Sequence, residues 1–129
     1  MKGSAMFENT KAFSGFSVDD IGAAKKFYGE TLGIRVSEVG AGLLTLHIAG
    51  DRDIIVYPKP NHEPATFTIL NFPVDDIDQA VDELSRRGIE FLRYDGFSQD
   101  DKGIARGDEG PPIAWFTDPA GNILAVLQE

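Results

Sequence analysis

The 129-residue chain has no cysteine, which excludes disulfides, thiolate metal sites and thiol nucleophiles together. Basic residues are scarce: 12 lysines and arginines stand against 21 acids, a formal charge of -9. Phosphate backbones and anionic membrane surfaces are repelled by that balance, so neither nucleic acid nor a membrane is an expected partner. No run reaches the roughly 18 consecutive apolar residues of a membrane span. The opening MKGSAMFENT also lacks a hydrophobic signal core, and the expected location is the cytoplasm. There is no G-K-[ST] and no G-x-G-x-x-G to cradle phosphate. No serine sits in a G-x-S-x-G elbow, so no Ser-His-Asp hydrolase can be argued from the sequence.

What is present is a repeat. FSVDDI at residues 16–21 returns as FPVDDI at residues 72–77. After Val18, Ile21, Ala24, Tyr28 and Leu32 fall on one face of a helix; after Val74, Ile77, Ala80, Val81 and Leu84 do the same. Each Asp-Asp pair stands where an extended run turns into that helix, and one carboxylate can accept from free backbone N–H groups there. Adjacent side chains at a helix start point in different directions, which argues for capping over acid–base chemistry. Each helix stops at Gly-Ile, Gly33-Ile34 and Gly88-Ile89, a left-handed C-terminal residue followed by the start of a strand. Strand-like runs follow each helix: IRVSEV, GLLTLHIA and DIIVYPK in the first half, EFLRY, PIAWFT and ILAVLQ in the second. The chain thus reads as one α+β domain, 1–129, of two βαβββ modules, 11–59 and 66–128, whose strands build a curved mixed sheet. The join is the proline-rich PKPNHEP, and DPAGN at 118–122 reads as a hairpin turn.

Paired βαβββ modules, the V-D-D-I helix entries, FYGETLGI closing the first helix and WFTDPAGN before the last strand resemble the vicinal oxygen chelate superfamily. That group includes glyoxalase I, ring-cleaving dioxygenases, fosfomycin-resistance transferases and bleomycin-resistance proteins. The resemblance spans residues 11 to 128 and implies a cup-shaped sheet and a homodimer. In metal-dependent members it also implies a divalent ion held by His, Gln or Glu from the first and last strands of the modules. Transferred to this chain, those seats fall on Phe13, on Ile69, on Ala125 and within Ile54-Ile55-Val56. None offers the oxygen or imidazole donor that such an ion needs. No metal and no other cofactor is expected.

The same positions outline an apolar cup. Phe13, Gly15, Val56, Ile69, Trp115 and Ala125, with the Asn71 amide to set orientation, form the expected ligand-binding set. His47 joins it as a pocket-lining group able to orient a ligand or move a proton, although a partly buried sheet residue hydrogen-bonded to a neighbour is the plainer reading. His62 reads as a surface loop residue. Residues 95–112, with four glycines, read as a flexible loop long enough to cover a pocket as a lid. The preferred function is metal-free binding of a hydrophobic or aromatic small molecule, in the manner of bleomycin-resistance proteins. A glyoxalase- or dioxygenase-type enzyme with a non-standard site and a non-catalytic interaction domain are the alternatives, and whether any reaction is catalysed stays open.

Overall fold

A computed structural model describes residues 6–107 and 110–129. The opening Met1–Ala5 and part of the expected lid, residues 108 and 109, lie outside the described residues. The first half runs β1 (Ser14–Val18), α1 (Ile21–Lys26), a π-helical segment (Phe27–Thr31), β2 (Arg35–Val39), β3 (Leu43–His47) and β4 (Ile54–Pro58). The second runs β5 (Thr68–Val74), α2 (Ile77–Arg86), β6 (Ile113–Thr117) and β7 (Ile123–Gln128). The fold class is α+β, with the strands in two sheets: β1-β4-β3-β2 and β5-β7-β6. In each sheet the strand before the helix pairs in parallel with the last strand of its half, β1 with β4 and β5 with β7; the other pairs are antiparallel.

Both helix starts are capped from the second aspartate of the repeat. Asp20 Oδ1 accepts from Ala23 N–H at 3.1 Å, and Asp76 Oδ1 from Gln79 N–H at 3.1 Å. The two cap residues have nearly the same backbone angles, -133°, 105° and -137°, 102°. Gly33 and Gly88 take φ of 72° and 92°, which an L side chain resists. The first helix departs from regularity after Lys26. There Leu32 N–H reaches back five residues to the Phe27 carbonyl at 2.9 Å. That widened turn brings two successive residues, Phe27 and Tyr28, inside together, their rings edge to face at 5.1 Å.

Alternation along the strands divides the molecule. One face of both sheets packs on the helices: Val18, Leu44, Leu46, Ile54 and Val56 share one buried cluster with Tyr28 and with Phe116 and Leu124 of the second half. Val56 is fully buried there, so the expectation that it lines the cup is corrected. Its neighbours Ile55 and Tyr57 turn to the opposite face, because successive side chains in a strand alternate.

The second half differs from expectation in two ways. EFLRY forms no strand; only a Leu92 N–H to Trp115 carbonyl bond, 2.7 Å, ties it to β6. The stretch expected as a lid is docked instead. Ile104 is fully buried among Ile77, Val81, Ala114 and Val126. Asp100 Oδ1 accepts from the N–H groups of Lys102 and Ile104, both at 2.9 Å, folding the chain around itself. Arg93 donates to the carbonyls of Asp100 and Asp101, each at 2.6 Å. Lys102 and Arg106 then bridge to α2, reaching Asp82 at 3.0 Å and Asp78 at 2.8 Å. A hydrophobic plug is what a flexible-loop reading of glycine content misses.

Candidate functional site

The sheet faces turned away from the helices carry the candidate site. In the first sheet, register lines up Gly15, Ile55, Thr45 and Ser37 in one row, with Ser17 beside Tyr57 in the next. Gly15 matters for spacing: a Cβ added there would stand 3.1 Å from the Ile55 carbonyl oxygen. In the second sheet, Asn71, Ala125 and Trp115 form a row across β5, β7 and β6. Asn71 is exposed at one end; Ala125 is fully buried in the middle.

Between the two sheets lies a depression of about 480 Å³ whose walls include Gly15, Ser17, Tyr57, Phe67, Ile69 and Asn122. It adjoins a second of about 670 Å³, lined by Phe13, Thr45, Ile55 and Leu70; Ser14, Ile54 and Leu70 border both. A third, about 580 Å³, lies against Phe97, Ala105, Ile113 and Trp115. There Trp115 stacks edge to face on Tyr94 at 5.2 Å and tilts against Phe97 at 5.3 Å. The structure therefore gathers Gly15 and Ile69 in one depression and Phe13 in its neighbour, while Trp115 lines the third. Phe13, Phe67 and Phe97 are 73%, 68% and 57% exposed. Phe13 and Phe67 border the two adjoining depressions and Phe97 the third.

His47 ends β3 on the same sheet face as Thr45 and Ser37. Its Nε2 is hydrogen-bonded to Ser37 Oγ at 2.6 Å, and its Nδ1 stands 3.4 Å from Asp53 Oδ1. Nε2 is thus tied to a neighbour on β2, and Nδ1 lies near a carboxylate.

His62 is not the free surface residue that its loop position suggested. It is half-buried, Nδ1 2.7 Å from Ser17 Oγ and Nε2 3.1 Å from the Ala120 carbonyl. A carbonyl oxygen only accepts, so Nε2 carries the hydrogen; in the neutral ring Nδ1 then accepts from the Ser17 hydroxyl. Asn122 continues the network: its Nδ2 donates to the Ser17 carbonyl at 2.9 Å and to Asp118 Oδ2 at 3.1 Å, and its Oδ1 accepts from Ala65 N–H. Asp118 also accepts from Asn122 N–H at 2.8 Å and from the Tyr28 hydroxyl at 2.7 Å. Burial, and after it the Asp118 charge, pushes the Tyr28 phenol far above its ordinary value, so it stays a donor. DPAGN is therefore more than a hairpin turn, because its two buried polar ends fasten the second half to the first. No spacing pattern announced this, because the partners come from four distant segments.

The seats that the resemblance implied for a metal present hydrocarbon. Phe13, Ile69 and Ala125 have no donor atom, and on the outer face of β4 the choices are Ile55 and the Tyr57 phenol. These residues do not fit a divalent ion, which needs several convergent oxygen or imidazole donors. Among the described residues no group of three or more His, Asp or Glu converges elsewhere. No helix among them is long and apolar enough to cross a membrane.

The family model described as Glyoxalase/Bleomycin resistance protein/Dioxygenase superfamily matches residues 12–126. No curated protein sequence matches the chain. Solved structures do. A member of the glyoxalase/bleomycin resistance protein/dioxygenase superfamily from Sphaerobacter thermophilus DSM 20745 superposes with a TM-score of 0.71 at 21% identity, over 95% of this chain and 99% of that one. TnmS3, an antibiotic binding protein from Streptomyces sp. CB03234, gives 0.67 at 24% identity, over 93% and 97%. The fosfomycin resistance protein FosX from Listeria monocytogenes gives 0.71 at 12% identity, over 94% and 93%. At these identities the structural likeness shows the fold alone.

Proposed function

The chain belongs to the Glyoxalase/Bleomycin resistance protein/Dioxygenase superfamily, and within that scaffold we propose that it binds an apolar or aromatic small molecule without a metal ion. The observation that carries the reading is the pairing of hydrocarbon at the seats of Phe13, Ile69 and Ala125 with exposed aromatic rings around adjoining depressions. A site built this way gains from burying a flat apolar ligand, and few polar side chains, Ser17 and Glu63 among them, line it to fix the pose. The printed role of TnmS3, antibiotic binding, is consistent with it. The protein works in this reading in the cytoplasm as a homodimer, the second copy covering Phe13 and Phe67. The acidic surface, -9 overall, favours a ligand with a positive group.

Thermal shift against planar aromatic and cationic aromatic compounds tests this. A ligand at a hundred times its dissociation constant adds about 2.7 kcal/mol. Ile69→Glu and Phe67→Glu, which place a carboxylate in the groove, are expected to abolish the shift while the variants stay folded. Retained binding in both, or one tightly held transition metal per chain by elemental analysis, defeats the reading. Light scattering reads the dimer directly.

A further inference from the structure

The Ser17–His62 contact has a chemistry that ligand binding does not use. We propose that Ser17 is a nucleophile activated by His62, and that the groove between the sheets accepts small esters with an apolar or aromatic acyl or leaving group. The pairing is assembled from β1 and the connection between the two halves, 45 residues apart.

Three parts of an acyl-transfer site converge. The base is in place: Nδ1 of His62 stands 2.7 Å from Ser17 Oγ, inside the reach a general base requires. Its orienter is in place: the Ala120 carbonyl at 3.1 Å holds the hydrogen on Nε2 and leaves the Nδ1 lone pair aimed at the serine. A carbonyl here does for the tautomer what a carboxylate does in the better-known triad. The third part is a backbone donor for the developing oxyanion. Lys59 N–H donates to the Val18 carbonyl at 2.9 Å, so Val18 faces the β4 side. Successive residues of a strand turn their N–H and C=O to opposite edges. Ser17 and Gly15 therefore face the other edge, and Asn122 meets the Ser17 carbonyl there. On that edge, among the described residues, no strand pairs with β1. The Ser17 N–H thus points out at that unpaired edge beside its own hydroxyl, where a backbone donor stabilises a tetrahedral oxyanion; the Gly15 N–H, about 6.6 Å further back along the strand, takes no part. Tyr57, Phe67 and Ile69 supply the apolar wall of the same depression.

The step balances without any co-reactant. Ser17 Oγ forms a bond to the ester carbonyl carbon and its proton passes to His62 Nδ1. The ester C–O bond breaks, and that proton leaves with the alcohol or phenol. Water then attacks the acyl-serine by the same proton route, releasing the carboxylic acid and restoring the hydroxyl.

Diisopropyl fluorophosphate and 4-nitrophenyl butyrate are the probes. The expected result is one phosphoryl adduct per chain, mapped by peptide mass spectrometry to Ser17 and absent in Ser17→Ala. Labelling is expected to slow at least about 100-fold in His62→Ala and in His62→Gln, the range that loss of a general base gives. No adduct on Ser17 in the folded wild type overturns the proposal. So does an unchanged rate in a folded His62→Gln. Should His62→Ala unfold, the wild-type adduct and the glutamine variant still decide. The inference shares its groove with the binding function proposed above, and the two fail separately. Ligand shifts without labelling of Ser17 remove the nucleophile and leave binding; labelling without any ligand shift does the reverse.

Discussion

Replacing Tyr28 by phenylalanine is the sharpest test of how the two halves are held. The ring stays fully buried between Phe16 and Phe27, so packing is conserved and only the hydroxyl is lost. That hydroxyl donates to Asp118 Oδ2 at 2.7 Å. Hydrogen bonds to charged groups contribute about 1.5–3 kcal/mol. Asp118 keeps two donors from Asn122, which puts the expected loss near 2 kcal/mol. With about 2.1 cal/mol/K of unfolding entropy per residue, a chain of this length loses roughly 7 °C in Tm. The pH dependence supplies an internal control. Burial and the Asp118 charge hold the phenol's pKa above its ordinary 10.0 in the folded chain. The proton is then bound more tightly in the folded state, and the contribution is intact below pH 10 and lost as pH climbs beyond it. At pH 11 the unfolded phenol's ionisation alone removes about 1.4 kcal/mol from the wild type. The stability gap between wild type and Tyr28→Phe, measured by urea unfolding, is therefore expected to shrink from about 2 to about 0.6 kcal/mol between pH 7 and 11. A gap under 0.5 kcal/mol at pH 7, or one that does not narrow with pH, refutes the argument.

The docked strap gives two further tests. Ile104→Ala removes a fully buried side chain from the cluster around Ile77 and Val81 and is expected to cost about 3 kcal/mol by denaturant unfolding; a free lid would lose almost nothing. Gly103→Ala faces φ of 90° and a new methyl 3.0 Å from Phe91 Cβ, so a loss of about 1–3 kcal/mol is expected, with fluorescence of Trp115, the single tryptophan, reporting any shift of the strap against its depression.

Local signals carried most of the fold. The FSVDDI and FPVDDI entries, the capping aspartates and the helix-ending glycines act through contacts within a few residues, so periodicity and turn chemistry exposed them. The failures share a cause in long-range packing. Val56 and Ile55 are equally apolar, and only the helices above β4 decide which one is buried. EFLRY has strand composition but is left with a single bond to β6. Ile104 sits in a glycine-rich stretch, and nothing local marks it as a core residue. The site was half legible. Phe13, Gly15 and Ile69 came from counting along the repeat, whereas Ser17, His62, Asn122 and Tyr28 meet only once the chain has folded over itself. Two lone histidines gave no pattern to follow.

The absence of a strand ladder between β1 and β5 has a bearing on adaptability. Two strands zipped by backbone bonds stand about 4.8 Å apart whatever their side chains. Here β1 is joined to the second half by side chains: Asn122 on the Ser17 carbonyl, His62 between the Ser17 hydroxyl and the Ala120 carbonyl, and the packing of the buried rings beneath. Substitutions at those few positions can widen or narrow the groove without breaking either sheet. A scaffold joined in that way leaves the width of its groove to a few side chains where a continuous sheet would fix it by its backbone bonds.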